Sequence, residues 1–196
     1  MLRTMIVGAV ALAGVLVGAS TAVAEPVFNY DVPSGTSVIK KLNATLPLGP
    51  GKLSVDLDGA SGNFTSTIQL PPAAGSFKIF GIFPTTATVS LQQVGLVTGT
   101  LVDGVVTAHA NINIQLSDVK AIGFIPLLVG DNCKTKVPAS IDLHSAPDFN
   151  PLEGGDLLAT YTIPEFANCN LATGILNGLI PGPDNQLQLT LKFIIE

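Results

Sequence analysis

The chain is poor in charge and in the side chains that most often do surface chemistry. Only 12% of its 196 residues are charged, and it has no Trp, two Tyr, two His and two Cys. Soluble domains average about 25% charged residues. Low charge beside 47% hydrophobic residues excludes a disordered chain, which combines low hydrophobicity with high net charge. Arg3 is the only arginine, and the net charge is −5. Lys40-Lys41 is the only adjacent basic pair, too little for a polyanion footprint, so no nucleic-acid partner is expected. No Gly-x-Ser-x-Gly elbow occurs, and Gly154-Gly155 lacks the Lys-Ser/Thr that a phosphate cradle requires. An outer-membrane barrel would explain the low charge, but its aromatic girdles could draw only on Tyr30, Tyr161 and the phenylalanines.

What is present begins with a secretory signal. Arg3 supplies a positive start, Met5 to Gly18 an apolar core, and Ala22-Val23-Ala24 the small residues of a cleavage site. Cleavage is expected between Ala24 and Glu25. The apolar run is short for a bilayer span of about 20 residues, so no stable transmembrane anchor is expected. In an oxidising compartment an even cysteine count favours a Cys133–Cys169 disulfide. A metal site would need further ligands, and a catalytic thiol an unpaired state and a base.

Alternation of apolar and polar residues then dominates. Strands are expected at Lys52–Asp58, Phe64–Leu70, Phe77–Phe83, Thr86–Val94, Leu96–Val102, Val105–Leu116, Ile122–Val129, Ser140–His144, Leu157–Ile163 and Gln186–Ile195. Asp103-Gly104 is the strongest hairpin signal. One helix is expected at Leu171–Leu179, with Asn170 as N-cap. The expected fold is all-β: a Greek-key-like sandwich of about eight to ten strands over 51–196, or alternatively a small closed β-barrel. Residues 25–50 read as a partly irregular lead-in.

Few residues carry a chemical signal. Asp142 and His144 share one strand face and, with a serine from elsewhere, would be the only route to a hydrolase; a polar strand rim is the plainer reading. His109 is expected to point outward. Asp56 and Asp58 share a face beside a turn, but calcium would need several more oxygen ligands. Asp131-Asn132 reads as a turn. No catalytic residue, cofactor or metal is therefore expected. Phe77, Phe80 and Phe83, with the nearly uniform apolar run Ile122–Val129, fit either an ordinary core or an apolar ligand cavity.

Thr160-Tyr161-Thr162-Ile163-Pro164-Glu165-Phe166, Cys169 and Leu179-Ile180-Pro181-Gly182-Pro183-Asp184-Asn185, with Cys133-Lys134-Thr135 and Pro138 before them, form a further pattern. It resembles a group of uncharacterised secreted β-rich proteins of actinobacteria, over Gly51 to Leu191. The chain departs from the group's pattern at Asp184, where the group has Gly. The resemblance implies a signal peptide, a β-rich domain and one Cys pair, and no activity. The expected function is an exported, non-enzymatic extracellular or cell-envelope protein that binds a partner or an apolar ligand. A secreted serine hydrolase using Asp142 and His144, and a purely structural envelope component, are the alternatives.

Overall fold

Period-two alternation puts one face of each segment inward, and Gly, Pro, Asn and Asp punctuate the segments. The computed structural model describes residues 26–79 and 81–195 and resolves the pattern into antiparallel strands. In chain order these are β1 (Val27–Ile39), β2 (Ala44–Leu48), β3 (Gly51–Leu57), β4 (Asn63–Gln69) and β5 (Ala73–Ile79). There follow β6 (Phe83–Gln93), β7 (Val97–Val102), β8 (Val105–Ala121), β9 (Ile125–Pro126), β10 (Lys134–Thr135), β11 (Ala139–Ser145), β12 (Gly154–Ile163), β13 (Phe166–Ala167) and β14 (Gly182–Phe193). Among the described residues one α-helix, α1 (Thr173–Leu179), precedes β14. No helix among the described residues is long and apolar enough to cross a membrane.

The strands form a sandwich-like all-β fold with two lobes. In the first lobe the hydrogen bonding runs in a closed circuit, β11-β12-β14-β1-β3-β4-β7-β8, with β8 pairing back onto β11. Two long strands carry the chain into the second lobe. Val27–Val32 of β1 pair with β3, whereas Gly35–Ile39 pair with β2. Likewise the first half of β8 pairs with β7 and β11, and the second half with β6, which brings β5. Asp103 and Gly104 both take positive φ, as a tight Asp-Gly hairpin requires.

Three segments differ from the sequence expectation. The lead-in 25–50 holds β1 and β2, which helps raise the strand number above ten. Within this lead-in, Val32-Pro33-Ser34-Gly35 does not break β1. In the fold it is a bulge, with the register against β14 slipping between Asp31 and Ser34, where Pro33 owes no ladder hydrogen bond. Phe77–Phe83 is a hairpin end rather than one strand, because Gly81 takes φ +73° and Ile82 N–H bonds back to Ile79 O. Ile122–Val129 is largely surface: only Ile125 and Pro126 pair, on the end of β8, and Phe124 and Leu128 are 75% and 81% exposed. Ile122 and Gly123 reverse the chain there with positive φ, leaving no sheet to cover the far side.

Cys133 and Cys169 form the disulfide, and both are fully buried. They flank the β10–β13 pairing and tie down the segment that carries α1. The Asn170 side chain does not cap the helix: its Nδ2 donates to Leu128 O, 3.0 Å away. Leu176 is the helix's buried residue, and Asn177 bonds to both Phe166 N and Phe166 O.

Candidate functional site

The inward residues of the first lobe do not meet in the middle. Leu53, Val55 and Leu57 of β3, Phe64, Ser66 and Ile68 of β4, Val106 to Ile112 at alternate positions of β8, and Leu187, Leu189 and Leu191 of β14 surround a cavity of about 350 Å³. The second lobe is built by the same alternation, yet its residual space is about 50 Å³. Protein interiors seldom hold voids larger than a water molecule. A space of about 350 Å³ is many times larger than such a void. That magnitude distinguishes this space from ordinary packing slack.

One end of the circuit is where β1, β4, β8 and β12 begin and β3, β7, β11 and β14 end. The loop 146–153 lies at this end, and its Phe149, Pro151 and Leu152 line the cavity. Leu152 is 64% exposed, so the lining reaches solvent here. Tyr30 Oη donates to Pro151 O at 2.7 Å, and Phe193 N–H to Glu153 O at 2.9 Å. The Tyr30 ring meets Phe193 edge-on at 5.5 Å. Gly154 takes φ +120°, and a Cβ there would run into the Leu191 carbonyl, so only glycine lets the loop return this closely.

Burial pushes the Tyr30 phenol above its ordinary value. Burial also raises Tyr161 in the second lobe, against the lowering effect of its hydrogen bond with Ser37. For a tyrosine raised on folding, the stabilising contribution is complete below the unfolded value of about 10 and is lost as pH rises through the folded value. Urea midpoints are therefore expected to hold between pH 7 and 9 and fall above about pH 10. A Tyr30→Phe variant should show a shallower alkaline fall; an unchanged fall would mean that Tyr30 does not contribute.

The polar residues singled out in the sequence lie elsewhere. Asp142 does not engage His144. It faces His109 across the β8–β11 ladder, with Oδ1 2.7 Å from His109 Nδ1 and both side chains substantially exposed. His144 is exposed, and Ser145 Oγ is occupied as acceptor for Val106 N–H. Neither histidine is hydrogen-bonded to a serine among the described residues. Asp58 turns inward on its own loop, accepting from Ala60 N–H and Ser61 Oγ. The Ser61 hydrogen bond, then that from Ala60, lowers its carboxyl below the usual value. Among the described residues no group of three or more His, Cys, Asp and Glu could hold a metal. Lys40 pairs with Asp184 and Lys41 reaches Pro181 O, so the basic pair stitches the start of β14 to the turn after β1. Ala24 and Glu25, and with them the cleavage site, lie outside the described residues, as does Phe80.

Phe77, Phe83 and Ile122–Val129 do not line the large cavity. Phe77 borders the small space of the second lobe, and Phe83 is exposed. The cavity is built instead mainly from ordinary alternating Leu, Val, Ile and Ala of the eight circuit strands, with Leu91 of β6. Ser66, alone among apolar inward neighbours on β4, is the one local sign of it in the sequence. Neither a family model, nor a curated protein, nor a solved structure matches the chain.

Proposed function

We propose that the protein is an exported, non-enzymatic binding protein that holds an apolar small molecule in the cavity of its first lobe. The observation that carries this reading is a space of about 350 Å³ walled by aliphatic and aromatic side chains from the whole strand circuit. Ligand sites are typically largely apolar clefts of about 300–1,000 Å³. The signal-like segment 1–24 and the buried disulfide favour an extracellular or cell-envelope location. The hydrolase alternative loses its support because Asp142 orients His109 on an exposed sheet face, not His144 in a cleft.

Native mass spectrometry of the protein recovered from a secreting host tests the reading. A non-covalent adduct is expected that solvent extraction removes, and adding back the extract should raise the melting temperature. Empty protein in repeated preparations, with no shift on adding apolar compounds, would instead leave a purely structural envelope component.

A further inference from the structure

The cavity wall contains one hydroxyl that the fold leaves unbonded. Ser66 is 3% exposed and lies between its register partners Val55 on β3 and Val97 on β7, all three lining the cavity. Its carbonyl accepts a hydrogen bond from Gln93 Nε2 at 3.0 Å. Its Oγ makes none with the described residues. No sealed side-chain oxygen among those residues lacks a partner, so this oxygen keeps surface open to the cavity.

The other buried hydroxyls among the described residues are all paired. Ser37 Oγ lies 2.7 Å from Tyr161 Oη, Thr135 Oγ1 accepts from Ile114 N–H, Thr85 Oγ1 donates to Phe83 O, and Tyr30 Oη donates to Pro151 O. A hydroxyl facing an apolar-walled space forgoes the protein hydrogen bond its buried counterparts make, and a valine or alanine would fill the position without placing a polar group there. Among the described residues no charged side chain lines the space. A carboxylate or ammonium placed inside would stay uncompensated, which is far more costly than a neutral polar group.

From this we infer that Ser66 Oγ is the polar anchor of the ligand site, and that the ligand is an uncharged apolar molecule with one hydrogen-bonding oxygen. Alcohols, esters and ketones belong to this class. A hydroxyl can donate to any of them and can also accept from an alcohol. The inference rests on the cavity being a ligand site. An engineered cavity of about 150 Å³ holds benzene, so this one suits on the order of a dozen carbon atoms.

The test uses the exported protein, with N-phenyl-1-naphthylamine as an uncharged fluorescent probe displaced by decane, 1-decanol or decanoate. Ser66→Ala is expected to weaken 1-decanol about tenfold and leave decane within twofold, since the alcohol alone loses a partner. Ser66→Thr, which keeps the hydroxyl, should retain most of the 1-decanol affinity. Decanoate should bind the parent at least about tenfold more weakly than 1-decanol. An equal effect of Ser66→Ala on both neutral ligands, or none, would overturn the anchor while leaving the cavity as a ligand site. Decanoate binding as tightly as 1-decanol would overturn the uncharged class. Failure of all three compounds to displace the probe would overturn the cavity reading itself, and the anchor with it.

Discussion

Gly99→Ala is expected to lower the melting temperature by on the order of 10 °C, equivalent to about 3 kcal/mol. Gly99 sits in β7 opposite Phe64 on β4 and opposite Ala108 on β8. A Cβ at Gly99 would overlap the tip of the Phe64 ring on one side and the Thr107 carbonyl on the other. The ring can shift, and since Phe64 lines the cavity such a shift alters the cavity wall. The carbonyl cannot move without bending the β7–β8 ladder. The ordinary gain from replacing glycine by alanine is about 0.4–1 kcal/mol, too small to offset the overlap. Chemical unfolding of the variant measures the loss. A second measurement identifies its source: in a Phe64→Leu background the same substitution should cost less, because the overlap with the ring is gone. Equal costs in both backgrounds would place the strain at Thr107 alone, and no measurable cost would mean that β7 and β4 stand further apart than described. The displaced ring should also reduce binding of apolar probes, which links the stability of this wall to the shape of the cavity.

Replacing Cys133 and Cys169 together by alanine is expected to lower the unfolding free energy by about 4 kcal/mol. The bridge spans a sequence separation of 36, and closing a loop of that size in the unfolded chain accounts for an effect of this order. The consequence should be local as well as global. The bridge flanks the β10–β13 pairing and the segment leading into α1, so amide exchange there should accelerate most. No cavity-lining residue lies between Ile112 and Ile141 or between Leu157 and Leu187. Below its lowered melting temperature the double variant should therefore bind apolar probes with unchanged affinity. Loss of binding at a temperature where the variant remains folded would show that the two lobes are coupled.

Much of the fold is legible locally. Leu53, Val55 and Leu57 alternate with polar residues and line the wall. Asp103-Gly104 marks a hairpin that forms, and the even cysteine count marks a bridge that forms. His109 points to the outer face, as its place between Ala108 and Ala110 implies. Each of these depends on neighbours within a few residues, or on parity. Other features resist such reading for the same reason. The Asp142–His109 contact joins residues 33 apart and exists only because β8 pairs with β11 in one register. A shift of β11 by one residue would send Asp142 to the other face and leave His109 without it. The apolar run Ile122–Val129 has the composition of a buried strand, but burial needs a covering layer, and composition does not supply one.

The same division holds for the low charge of the chain. By itself the sequence determines which side chains each strand turns inward, where the hairpins close, and that the inward set is aliphatic and nearly free of polar groups. It also determines that Ser66 stands in that set, since period two leaves it no other face. Only the tertiary structure decides that the inward faces of one lobe touch and those of the other do not. That outcome depends on how far apart eight strands stand once β8 has closed onto β11, a distance set jointly by every register in the circuit. Identical alternation therefore yields a filled core in one lobe and a space of about 350 Å³ in the other.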